Sequence, residues 1–104
     1  MTGLTVVSGL ATPHLTDGDT PRIERLASGT GATVVRISFA EGQTMEDHRS
    51  AAPILVQVTA GEIDFEVSGE TVTLTPGTAI HLEGGITHRL VAKRESVVAL
   101  VVLR

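Results

Sequence analysis

A chain of 104 residues holds one domain with one core. Apolar types make up 41% of it, yet no apolar run approaches the roughly 18 residues of a bilayer-spanning helix, so a membrane span is excluded. Eight Lys and Arg against 12 Asp and Glu leave a net charge of −4, the wrong sign for non-specific attraction to nucleic acid or anionic lipid. The absence of cysteine excludes disulfides, thiolate metal sites and a cysteine nucleophile. With neither a basic start nor an apolar signal core in Met1-Thr2-Gly3-Leu4, the expected compartment is the cytoplasm.

Val, Ile and Thr account for 33 residues, nearly a third of the chain, and these β-branched types fit a pleated sheet better than a helix. In chain order, residues 1–30 read as an extension. Within it, Leu4 to Val7 and Ile23 to Leu26 are expected as short strands joined by a polar turn around Asp17-Gly18-Asp19. Pro13 and Pro21 interrupt this segment, so a helix-turn-helix does not fit it. Ser28-Gly29-Thr30-Gly31 then opens a strand over Thr33 to Phe39, and Pro53 to Val58 reads as another, ended by Ala60-Gly61. Ile63, Phe65 and Val67 alternate with Glu62, Asp64 and Glu66, while Val72 and Leu74 alternate with Thr71 and Thr73. Period two gives one dry and one wet face, and Ser68-Gly69 supplies the positive φ of a hairpin turn between them. Strands follow at Thr78 to Leu82 and, after a Glu83-Gly84-Gly85 turn, at His88 to Ala92. The last, Val97 to Leu103, is apolar on both faces; the barrel core is expected to cover one, with a second subunit as the candidate cover for the other. Turn signals every eight to twelve residues predict an all-β sandwich or barrel.

Two segments carry chemistry-bearing residues at informative spacing. Gly42-Gln43-Thr44-Met45-Glu46-Asp47-His48, continued by Thr59-Ala60-Gly61-Glu62, matches both ends of a G-x5-H-x-H-x3-4-E-x6-G motif. Gly77 to His88 matches a G-x5-P-x-G-x2-H motif in all but its proline, which is Glu83 here. In these two segments the chain resembles the cupin family over roughly residues 31–104. The resemblance implies a cupin-type β-barrel, the double-stranded β-helix or jelly roll, as a single domain over 1–104.

The resemblance also implies a site. In that family the two His and the Glu of the first motif and the His of the second hold one divalent metal, Fe, Mn, Ni or Zn. Here His48 and His88 occupy the first and last ligand positions, Ser50 stands in place of the second His, and Ile54 stands in place of the Glu. Two of four ligands remain, fewer than the three protein ligands of catalytic zinc sites. Positions 48, 50 and 54 share a parity on extended segments, which would turn them into one cavity. His81 is a further candidate ligand, although Ile80 and Leu82 read as the core-facing pair on that strand and would turn it outward; Glu46 and Glu83 are lesser candidates.

The expected cavity is small and apolar, lined by Ile54, Val56, Val58 and Leu90, with Ser50 and the two imidazoles as its polar contacts, and so suits a small organic molecule. Left without a ligand, the imidazoles would hydrogen-bond to Ser50, Thr87 or water. His14 reads as a surface residue, and Glu62, Asp64 and Glu66 as a solvated sheet face. Arg89, Lys93 and Arg94 could meet an anionic ligand. No acid is placed to make a triad with Ser50, and no Gly-rich loop opens a helix for a nucleotide. Two functions follow: a small-molecule-binding cupin, or a metal-dependent enzyme of the dioxygenase or isomerase kind. A homodimer is expected, because barrel edges and the apolar last strand favour pairing.

Overall fold

A computed structural model describes residues 3–104. Nine strands form two antiparallel sheets: β1 (Arg22–Gly29), β2 (Ala32–Phe39), β3 (Thr44–His48), β4 (Ile54–Ala60), β5 (Ile63–Val67), β6 (Glu70–Leu74), β7 (Ala79–Leu82), β8 (His88–Ala92) and β9 (Ser96–Leu103). One sheet runs β1-β2-β9-β4-β7 and the other β3-β8-β5-β6. This is the expected all-β jelly roll. No helix among the described residues is long and apolar enough to cross a membrane.

Alternation builds the core. Ile37 and Phe39 of β2, Ile54, Val56 and Val58 of β4 and Val98 of β9 face Ile63 and Phe65 of β5, Leu74 of β6 and Leu90 and Ala92 of β8, all at 2% exposure or less. Burying such a side chain stabilises the fold by about 1.5 to 3 kcal/mol relative to leaving it in water, so two facing rows suffice to close a barrel without any helix. The hairpin between β5 and β6 turns on Ser68 (φ 51°) and Gly69 (φ 77°), both in the left-handed region, as a two-residue turn matching the strand twist requires.

Two departures from the sequence reading matter. Residues 44–48, polar on their face in the sequence, form β3. Leu4 to Val7 form no strand, and Leu4 and Val6 are 74% and 80% exposed. Ile23 to Leu26, by contrast, lie within β1.

One end of β9 has a cover that was not read from the sequence. On the outer face of the five-stranded sheet, Val97 is fully buried and Ala99 is 4% exposed. Residues 9–19 of this same chain lie over that end. Thr59 Oγ1 donates to the carbonyls of Leu10 and Val97, His14 N donates to Ser38 Oγ (3.0 Å), and Thr44 N donates to the Asp19 carbonyl (3.1 Å). Gln43 Nε2 reaches the carbonyls of Thr16 (2.9 Å) and Gly18 (3.0 Å).

The central anchor of this strap is Arg36, 6% exposed, which donates to the Gly9 carbonyl (2.9 Å), to Glu24 Oε1 (2.9 Å) and to His14 Nδ1 (3.0 Å). The Arg36 guanidinium beside Glu24 holds that carboxyl below its usual value. His14, solvent-facing as expected, is thus also a strap contact.

Candidate functional site

The site begins with a bulge. On β3, Met45 pairs with Leu90 of β8 and His48 pairs with His88, so three steps on one strand oppose two on the other. Without the extra residue, Met45 and His48 would face opposite sides; the bulge returns His48 to the inner side with Met45. The two imidazoles then meet across the strands, with ring centroids 4.3 Å apart and planes at 62°, and His88 stacks on the core ring of Phe65 at 5.2 Å and 13°.

Hydrogen bonding places one proton on each ring. His48 Nδ1 lies 2.7 Å from the Glu46 carbonyl and His88 Nδ1 lies 2.9 Å from the Ile86 carbonyl. A carbonyl oxygen only accepts, so each Nδ1 carries a proton, and the Nε2 of each ring is left without a protein partner. Neither Ser50 nor Thr87 takes part, contrary to expectation, because the carbonyl two residues back is already within reach of each ring. Burial pushes the His88 pKa below the usual histidine value; the Ile86 carbonyl opposes this and the neighbouring His48 adds to it. His88 is therefore neutral at physiological pH. Although it is only 2% exposed, its Nε2 has no hydrogen-bond partner, and no fully buried side-chain nitrogen or oxygen lacks one among the described residues. That nitrogen therefore opens onto solvent-accessible space.

An open cleft of about 450 Å³ lies at the end of the four-stranded sheet, formed by Asp47, the β5–β6 hairpin from Glu66 to Thr71, and Ile86 and Thr87; neither His48 nor His88 lines it. Asp47 precedes His48, Thr87 precedes His88, and Val67 pairs with His88 across β5 and β8. The cleft is polar and acidic and lies apart from the apolar lining expected around Ile54, Val56, Val58 and Leu90. Ile54 and Leu90 sit at 2% and 1% exposure in the packed core together with Val56 and Val58. Ser50 is not on a strand, because the chain leaves the sheet after His48; the parity argument that turned it inward therefore fails. Its carbonyl instead accepts from Gly85 N at 2.7 Å. Gly84 belongs to the same contact, since a Cβ there would stand 2.3 Å from the Ala51 carbonyl.

His81 is exposed on β7, between the inward Ile80 and Leu82, and does not join the pair. The acidic stripe of β5 is paired rather than merely solvated. Glu66 meets Arg89 at 3.1 Å, Asp64 meets Lys93 at 3.6 Å, and Glu62 binds Arg94. Arg89 also reaches Glu46 at 3.0 Å, and these two carboxylates raise its pKa. The three basic residues are thus committed to carboxylates and are not left for an anion.

A divalent metal fits this donor set only in part. Anchoring Nδ1–H on a carbonyl while leaving Nε2 bare is the usual arrangement of a ligating imidazole. The number of donors does not fit: among the described residues no three His, Asp or Glu side chains gather closely enough to hold an ion. Arg36 and the strap were not read from the sequence as parts of the fold; a lone Arg within the apolar run Thr33 to Phe39 was the available signal.

A cupin domain model matches residues 35–103, which includes both histidine segments. The chain belongs to the cupin family. Among solved cupins, an RmlC-like protein from Desulfovibrio desulfuricans superposes with a TM-score of 0.85 at 16% identity, covering 96% of this chain and 97% of that one. A cupin superfamily protein from Desulfitobacterium hafniense gives 0.76 at 16% identity, covering 85% and 81%. KdgF from a Halomonas species gives 0.74 at 22% identity, covering 88% and 86%. At these identities the likeness concerns the fold. No curated protein matches the chain.

Proposed function

We propose that this cupin binds a small organic molecule at the barrel rim, with His48 and His88 as its polar contacts. One observation carries the reading. The imidazoles of His48 and His88, each with Nδ1 anchored on its own backbone carbonyl, meet ring to ring at 4.3 Å, and the Nε2 of each is left without a protein partner. Buried polar groups are ordinarily satisfied, so an idle acceptor at a rim suits an incoming donor.

The second reading, a metal-dependent enzyme of the dioxygenase or isomerase kind, draws support from the same bare Nε2 atoms. It would need water or substrate to supply the missing donors.

Elemental analysis and native mass spectrometry of tag-free protein separate the two. A co-purifying organic mass, lost in a His48→Ala, His88→Ala variant, with no stoichiometric Fe, Mn, Ni or Zn, is the expected result. Stoichiometric metal lost in that variant would favour the enzyme, and retention of the organic mass by the variant would overturn the binding reading.

The protein is further read as a cytoplasmic homodimer. Exposed Leu4, Val6 and Ile23 and the half-buried outer residues Val101 and Leu103 support the dimer, and sedimentation equilibrium tests it.

A further inference from the structure

The bulge that aims His48 has a single residue opposite it. With Met45 paired to Leu90 and His48 to His88, Glu46 and Asp47 of β3 together face Arg89 of β8. Alternation turns His88 inward onto Phe65 and its neighbour Arg89 outward, where Arg89 also stands opposite Glu66 of β5. The guanidinium uses this position on both sides. Its Nε donates to Glu46 Oε1 (3.0 Å), and one terminal nitrogen donates to both Glu66 oxygens (3.1 Å each). The planar fork thus ties three strands, β3, β8 and β5, at the level of the bulge.

The second observation lies on Glu46 itself. Its side chain takes the Arg89 bond, while its backbone carbonyl takes the Nδ1 proton of His48 at 2.7 Å. A bulge disrupts the ladder locally, so strand pairing does not by itself set the direction of that carbonyl. The side-chain bond to Arg89 supplies the constraint. His88 needs no such help, since its anchor on the Ile86 carbonyl and its stack on Phe65 involve neither Glu46 nor Arg89.

We infer that Arg89 is a positioning residue for the histidine pair: by holding Glu46 at the bulge from the outer face, it sets the carbonyl that orients the His48 imidazole on the inner face. This role rests on the reading of His48 and His88 as ligand contacts, but it is tested without any ligand, so the two fail separately.

The test compares imidazole nitrogen spectra and backbone amide exchange of the full chain with those of three variants, Arg89→Met, Glu46→Ala and Arg94→Gln. Arg94 binds Glu62 past the end of β8 remote from His88, and its variant controls for a general loss of surface charge. In Arg89→Met the His48 Nδ1 resonance should move towards that of a solvent-exposed imidazole. Amides of residues 46–48 should exchange about fivefold faster, the upper range for an exposed ion pair. The His88 resonances should stay in place. Glu46→Ala should reproduce this pattern, Arg89→Lys, which keeps the charge but not the fork, should restore part of it, and Arg94→Gln should leave both rings unchanged.

If Arg89→Met does not fold, Glu46→Ala, at an exposed position, decides the question. An unmoved His48 in Glu46→Ala would overturn the assignment. Equal displacement of His48 and His88, or an equal response of His48 to Arg94→Gln, would also overturn it, because either marks a general loosening of the sheet.

Discussion

Two polar clusters lie on opposite sheets of this barrel, and they differ in one respect. Around Arg36, the donors aimed at the strap find acceptors: the Gly9 carbonyl, Glu24 and His14. Around His48 and His88, one nitrogen of each ring is used and the other is left over. The first cluster holds residues 9–19 against a sheet, and its chemistry is complete within the chain. The second has unused acceptors, and that surplus separates a candidate site from a clasp.

The harshest way to break the comparison is to remove what lies beneath the second cluster. Phe65→Ala should cost about 3 to 5 kcal/mol of stability in urea denaturation, because it empties a fully buried position and takes away the ring that His88 stacks on. Arg36→Met attacks the first cluster instead. A loss of about 2 to 3 kcal/mol is expected, since several charge-assisted bonds disappear and the Gly9 carbonyl loses its donor. The His48 and His88 imidazole resonances should stay in place; if they move as much as those of His14, the two clusters are not separate.

Acid sharpens the contrast. With its pKa depressed by burial, His88 accepts a proton in the unfolded chain, at about pH 6.5, before it does so in the folded one. The stability it allows is fully present above that pH and is lost as the pH falls through the folded value, by up to about 1.4 kcal/mol per pH unit. A His88→Gln variant should show a flatter profile between pH 6.5 and the acid limb, and an identical slope would contradict the burial argument. The smallest effect belongs to the turn bordering the cleft. Ser68→Gly should raise stability by about 0.5 kcal/mol, because φ 51° is strained for serine and free for glycine.

Most strands were legible because burial on one side and water on the other impose period two, as in Ile63-Asp64-Phe65-Glu66-Val67. His81 was legible for the same reason, through its neighbours Ile80 and Leu82. What escaped is what alternation does not encode. Thr44 to His48 is polar, and its inward aim depends on a bulge that only the pairing with β8 reveals. Ser50 broke the parity argument because the strand ends at His48 and the chain bends before β4. The strap is held largely by backbone carbonyls of residues 9–19, which every sequence possesses and no side-chain pattern announces. Leu90 and Ile54 face inward as alternation predicts, and both are packed in the core.

The central claim is a statement about four nitrogens, and long-range proton–nitrogen correlation of the imidazoles near pH 7.5 reads them directly. Both rings should carry a proton on Nδ1, and His88 should appear as a neutral ring with an unprotonated Nε2. The opposite tautomer at either ring, or a charged imidazolium at His88, would contradict the account.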